Sequence, residues 1–273
     1  MATLKFRDKD GTWKYAPSLK YKNGNNVFEI TNGLKYKDEQ GVWHKVNICG
    51  SKYDNGDYPT ISTLAVGSSV YLNENGSPAE YLMVHKGLPS NLYDTSCDGV
   101  WLLRKDIYNT QKWSSGDINN YQSSNIHSYL NNTFLKLFDS KTQLVIQQIK
   151  IPHVNGTSNA AIATGSNGLS TKVFLLSGVE VGYPAIVNGT TPIDGSCLDL
   201  FQGTGNNVRV AYQNGVVCSW WLRSAYRADS ANVLRVAEDG TCSTAWGSKL
   251  YGVRPCVILP YTTKLDSNNT IVG

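Results

Sequence analysis

Five side chains stand out for the chemistry they offer: Tyr226, Arg227, Arg235, Trp246 and Tyr251. That chemistry is recognition rather than bond making. Tyr, Trp and Arg dominate binding hot spots because they bring contact area, planarity and charge at modest entropic cost. All five lie between two apolar runs, Trp220-Trp221-Leu222-Arg223 and Cys256-Val257-Ile258-Leu259. Covalent or metal chemistry finds little here. The four histidines are scattered, and no Ser-His-Asp spacing stands out. The six cysteines, Cys49, Cys97, Cys197, Cys218, Cys242 and Cys256, form no C-x-x-C pair and no Cys/His cluster. No zinc site is expected from them. Reduced thiols are expected, with Cys218 and Cys256 as small core residues. No catalytic residue, metal or cofactor is assigned.

The elements that must position those five side chains follow from pattern. Both apolar runs read as buried strands. Trp220 and Leu222 alternate with Trp221 and Arg223, so one pair is expected to face the core. Asp239-Gly240 is a hairpin signal, because Gly accepts positive φ without steric cost. The span from Ala225 to Tyr251 therefore reads as an irregular surface segment, a hairpin and a return strand. A polar loop with chance aromatics is the plainer alternative.

Upstream, an internal repeat occupies the first fifty residues. Leu4-Lys5-Phe6-Arg7, Gly11 and Trp13 are echoed by Leu34-Lys35-Tyr36-Lys37, Gly41 and Trp43. Each copy predicts a hairpin with Trp on its second strand. Two small hairpins bury little alone and must pack on something else. Such Asp-x-x-Gly-x-Trp hairpins are similar to modules of phage tail and fibre proteins. Residues 51–69 read as a linker. Strands are expected at Tyr81–Gly87, Trp101–Arg104, Ile149–Pro152 and Val173–Ser177. A helix starts at Ser123 or Ser124 as N-cap and carries Ile126, Tyr129, Leu130, Phe134, Leu137 and Phe138 on one face, with a break or bend expected at Asn131-Asn132. A second helix, capped by Asp139 or Ser140, carries Leu144, Val145 and Ile146. Two long loops follow, at 153–168 and 183–207.

Composition bounds the function. The net charge of +4 is mild, and Lys and Arg are dense only near the N-terminus, alternating with aromatics. That reads as a solvated strand surface, not a nucleic-acid face. No apolar stretch is long enough for a signal peptide or a membrane span, so no membrane insertion is expected. Sixteen Tyr and seven Trp against two Met suit a β-rich, turn-rich protein.

Five segments occur in a telling order: Ser124-Asn125-Ile126-His127-Ser128-Tyr129-Leu130-Asn131, Ile149-Lys150-Ile151-Pro152, Val173-Phe174-Leu175-Leu176-Ser177 with Glu180, Trp220-Trp221-Leu222-Arg223-Ser224, and Gly252-Val253-Arg254-Pro255. That order resembles a large bacterial and phage family with a C-type-lectin-type fold, related in architecture to formylglycine-generating enzymes. The likeness covers residues 60 to 262 or so. It implies an α+β chain with two helices, short antiparallel strands and long loops. The domains are then a hairpin module for attachment or oligomerisation (1–50), a linker (51–69), a ligand-binding domain (70–262) and a tail (263–273). Members are frequently the variable proteins of diversity-generating retroelements, in which mutagenic reverse transcription rewrites adenines between the two end motifs. The resemblance implies a ligand site drawn from Tyr226, Arg227, Asp229, Ser230, Asn232, Arg235, Trp246, Ser248, Lys249, Leu250 and Tyr251. It makes Trp220, Trp221, Leu222, Arg223, Gly252 and Arg254 the framework. Arg223 and Arg254 are expected to pair with Glu180, Asp194 or Asp199, since a buried unpaired Arg is costly.

The leading expectation is a non-enzymatic, hypervariable receptor-binding protein of a phage tail or virion, or one released by lysis. Its partner would be a cell-surface protein or glycan, and it would form a homo-oligomer such as a trimer. The alternatives are an enzyme related to formylglycine-generating oxidases and a fixed-specificity carbohydrate binder. The first needs an arranged pair of reactive cysteines. The calcium-dependent sugar signatures Glu-Pro-Asn and Trp-Asn-Asp are both absent.

Overall fold

The computed structural model describes residues 58–183 and 191–272, with six short strands inside residues 1–57. Two compact units result, Met1–Asp57 and Tyr58–Gly273. In the first unit the repeat forms matched hairpins. Lys5–Arg7 pairs antiparallel with Trp13–Tyr15, and Lys35–Lys37 with Trp43–Lys45. Arg7 lies opposite Trp13 as Lys37 lies opposite Trp43. Tyr21–Lys22 pairs with Phe28–Glu29. The expected turn residues between these strands lie outside the described residues.

The second unit is a mixed α+β fold with open sheets. Its main strands are β1 (Ser69–Glu74), β2 (Ser77–Lys86), β3 (Val100–Arg104), β4 (Asn109–Lys112), β5 (Trp220–Ala225), β6 (Asn232–Val236), β7 (Cys242–Trp246), β8 (Leu250–Val253) and β9 (Cys256–Leu259). One antiparallel sheet has the order β9-β3-β2-β1. The other has the order β4-β8-β5-β6-β7, with β8 and β5 parallel. Helix α1 (Asn125–Asn132) starts where the sequence indicates: the Ser124 hydroxyl accepts the His127 N–H at 3.1 Å. It ends at Asn131-Asn132, where the sequence suggests a break; Phe134–Leu137 form a separate 3-10 turn, so Phe134, Leu137 and Phe138 lie beyond the helix rather than on its face. A one-and-a-half-turn helix, α2 (Ser140–Val145), is capped by Asp139.

Four buried tryptophans hold the core and tether loops. Trp101, Trp113, Trp220 and Trp221 are fully buried. Each indole N–H still finds a carbonyl: Cys97, Leu222, Arg209 and Gln111 respectively, at 2.9–3.1 Å. A buried indole without that acceptor would lose much of its packing gain.

Strand β5 has no solvent face, because all six of its residues are buried. The sheet has cover on both sides, so alternation does not sort Trp220 and Leu222 from Trp221 and Arg223. Val173–Ser177 is buried but is not a regular strand; it makes a single bridge, Phe174 to Cys256. In α2, Leu144 is 84% exposed and Thr142 faces inward instead. Loop 183–207 does not simply cross the surface, since Thr191, Asp194 and Leu198 are buried. Ile61, Leu265 and Ile271 are buried as well. Part of the expected linker and the expected tail thus pack into the second unit. Cys256 is a core residue, whereas Cys218 is half-buried against the core. All five described cysteines are free. Among the described residues no helix is long and apolar enough to cross a membrane.

Candidate functional site

The segment between β5 and β8 hangs from a buried ionic anchor. Arg223 donates from Nη1 to Glu180 Oε2 at 2.5 Å and from Nη2 to Oε1 at 2.6 Å. Its other N–H groups reach the carbonyls of Asp194 (2.6 Å), Leu175 (3.0 Å) and Pro152 (3.2 Å). All five guanidinium hydrogens are thereby used. Burial works against its charge, but the Glu180 carboxylate outweighs burial and raises its pKa. Glu180 also accepts from the Tyr93 hydroxyl and the Ser177 amide. The Asp194 carboxylate accepts from Ser224 Oγ at 2.9 Å. Burial pushes Asp194 up to about 6. A register shift in the β5–β6 ladder between Trp221 and Ala225 frees the Arg223 amide, which donates to Leu176.

Arg254 departs from expectation. Among the described residues it pairs with no carboxylate. Its Nε donates to the Arg104 carbonyl at 2.8 Å, and its guanidinium lies 4.9 Å from the Trp220 ring centroid. Burial lowers it to about 10. Asp199 instead lies 2.8 Å from His85 Nδ1.

A second anchor was not legible in the sequence. Asn119 is fully buried, and its Nδ2 sits 2.7–3.0 Å from the carbonyls of Tyr226, Asp229 and Asn232. Its amide N–H bonds the Ser230 carbonyl, and its Oδ1 accepts from the Ser158 amide. One side chain therefore shapes the whole 226–232 loop. The same segment holds the other end of the surface. Trp113 and Ser114 donate their amides to the Gly247 carbonyl, and Asp117 Oδ1 accepts the Ser248 amide at 2.8 Å. The only sequence signal was a polar residue inside a loop, which does not single out Asn119.

The eleven expected site residues divide into groups. Asp229 and Asn232 face their own loop: Asp229 accepts from the Ala231 amide and from Asn232 Nδ2. Those two bonds hold the Asp229 carboxylate below its usual range. Arg227 is held by Asn159 Oδ1, with Nε at 2.7 Å. Tyr226 is partly buried against the core. Arg235 lies over the Tyr251 ring at 4.5 Å, and Tyr251 meets Trp221 edge-on at 4.9 Å. Trp246 and Leu250 are 55% and 61% exposed, and Lys249 Nζ lies 5.8 Å from the Trp246 centroid. Ser230 is exposed and Ser248 half-buried. Register places Arg235 opposite Ser243, and Asn232 opposite Trp246. Alternation then sends Arg235 and Trp246 to opposite faces of β6–β7, so the eleven do not share one sheet face.

The β6–β7 hairpin turns at Gly240, as the sequence indicates. Its φ is +78°, and a Cβ there would collide with the Asn206 carbonyl. Beside the turn an open depression of about 440 Å³ includes Ser219, Arg235, Glu238, Asp239, Cys242 and Ser243 in its lining. Burial pushes the Cys242 thiol up to about 11. Burial likewise raises Cys256, which disfavours a thiolate there. Among the described residues no group of three or more His, Cys, Asp or Glu is placed to hold a metal ion.

Fold and surface together define an α+β domain that displays a polar, aromatic-bearing segment from a fully buried strand. A family model described as a domain of unknown function (DUF6273) matches residues 98–261, and the chain belongs to that family. No curated protein and no solved structure matches the chain.

Proposed function

We propose that this chain is a ligand-binding protein whose second unit is a C-type-lectin-type domain, with its ligand site on the segment between Ser224 and Gly252. One contrast carries the reading. Strand β5 is buried at every position, while the segment it launches exposes Trp246, Lys249 and Leu250. Those three exposed side chains can change with little cost to the core, and two buried anchors, Arg223 and Asn119, hold the backbone meanwhile. The resemblance of the end motifs extends the proposal. The segment is diversified by a retroelement, and the protein acts as a receptor-binding protein of a phage tail or virion. The N-terminal hairpins serve attachment or oligomerisation, with a trimer as one form, and the partner is a cell-surface protein or glycan. Multivalency would amplify a weak single site.

Population sequencing of the gene and its flanks tests this. Substitutions confined to codons 225–251, matched to adenines in a nearby template repeat, are expected. Variation no greater there than at Ile126 or Phe174 would sink the diversification.

A further inference from the structure

We propose that the depression beside the β6–β7 turn binds a free amino acid, holding its carboxylate on Arg235 and Ser219 and its ammonium group toward Glu238. The proposal rests on the reading of the segment between Ser224 and Gly252 as a ligand site and names what its Arg235 face takes, the face of β6–β7 opposite Trp246.

Arg235 is fixed before any ligand arrives. Its Nη1 donates to Ser219 Oγ at 2.6 Å, and its plane lies over Tyr251. Among the described residues its Nη2 has no acceptor, and its Nε is buried with no partner. Ser219 Oγ accepts from Arg235, so its own hydrogen remains available to an incoming oxygen. Ser219 is itself buried. A guanidinium and a hydroxyl converging on one polar recess suit a carboxylate, which accepts from both. Preorganisation removes part of the entropic cost of binding.

The carboxylates of the recess select against a simple anion. Glu238 and Asp239 line the same depression. Asp239 is already occupied by the Thr241 amide and hydroxyl, at 3.0 and 2.7 Å. Glu238 is exposed and has no such partner among the described residues. The half-buried Cys242 stays a neutral thiol near pH 7, since burial raises it to about 11. One cation and two carboxylates around the recess repel a lone anion and favour a molecule with both charges. The volume of about 440 Å³ falls in the range of about 300–1,000 Å³ usual for small-molecule sites. An amino acid carries its two charges on adjacent carbons, and the remaining room takes a side chain.

The test is calorimetric titration of the full chain with the proteinogenic amino acids one by one, with acetate and methylamine as half-ligands. At least one amino acid is expected to bind saturably with Kd at or below about 1 mM, and acetate and methylamine at least about tenfold more weakly. Arg235→Gln is expected to abolish binding. Glu238→Gln, at an exposed position, is expected to keep the melting temperature and erase the preference over acetate. If Arg235→Gln fails to fold, Glu238→Gln decides alone. No amino acid binding to the wild type, or unchanged preference in Glu238→Gln, overturns the proposal. Diversified codons without amino-acid binding would remove this proposal only. Uniform codons with amino-acid binding would remove the diversification and leave the recess.

Discussion

Arg223 and Glu180 form a two-pronged ion pair, 2.5 and 2.6 Å long, with both side chains fully buried. It joins β5 to loop residues that carry no strand pairing of their own. The pair matters less as net stabilisation than as a constraint, because desolvation offsets much of its attraction. Breaking it strands a buried charge. Arg223→Ala and Glu180→Ala are each expected to cost about 3–5 kcal/mol. The double variant is expected to cost less than the sum. Urea unfolding of the three variants checks this. Unchanged melting and binding in Arg223→Ala would refute the anchoring role.

Asn119 holds the 226–232 loop through contacts with three carbonyls. Asn119→Ala leaves them and the Ser158 amide to find water inside a buried site. The expected loss is about 1–3 kcal/mol. Hydrogen exchange should accelerate first at Ala231 and the Ser158 amide, with β1–β3 amides unaffected. Uniform acceleration would mean Asn119 supports the whole core rather than the loop.

Asp194 makes stability depend on pH with an unusual sign. Its folded pKa is about 6, against about 3.9 for an ordinary Asp. The folded chain therefore holds this proton more tightly than the unfolded one. Its contribution is complete below about pH 4 and is lost as pH rises toward about 6, a change of about 3 kcal/mol. His153 acts oppositely. Burial first, then the Arg223 charge, lower it to about 4. Its contribution is present above its ordinary value of about 6.5 and is lost as pH falls toward about 4. Asp194→Asn is expected to remove the loss on the rising side, and His153→Gln the loss on the falling side. Urea midpoints between about pH 4 and about pH 7 separate them. A profile unchanged in both variants would refute the assignment.

Exposed and packed members of the surface are expected to respond differently. Trp246→Ala, Lys249→Ala and Leu250→Ala together are expected to shift stability by no more than about 0.5 kcal/mol each and to weaken binding of a captured target. Tyr251→Ala removes packing on Trp221 and Arg235 and is expected to cost about 2–4 kcal/mol. Thermal unfolding distinguishes the two. Loss of cooperative unfolding in the triple variant would show that those side chains belong to the core.

Gly252 sits where β8 passes Ile107. A Cβ there would meet the Ile107 side chain at 2.7–3.0 Å. Gly252→Ala is expected to cost about 1–3 kcal/mol through overpacking. Gly252→Ala combined with Ile107→Ala is expected to recover part of that crowding cost, read from paired melting curves.

By itself the sequence determined the local structure. Ser124 and Asp139 capped the helices because a side-chain oxygen satisfies orphan amides within one turn. Gly240 set the hairpin because its φ is +78°, a conformation that costs Gly nothing. The repeat paired its strands in matching register because both copies carry the same short pattern. The apolar runs at Trp220–Leu222 and Cys256–Leu259 became buried strands, which take their apolar side chains out of water while pairing their backbone groups. Only the tertiary structure chose partners across long separations. Glu180 was one of three carboxylates open to Arg223, and charge alone did not rank them. Arg254 found a carbonyl and a ring where a carboxylate was expected. Asn119 gathered three carbonyls from a segment more than a hundred residues away. The exposure that separates Trp246 from Tyr251 was likewise invisible in residue type, because both are aromatic and only the Trp221 ring decides which one packs.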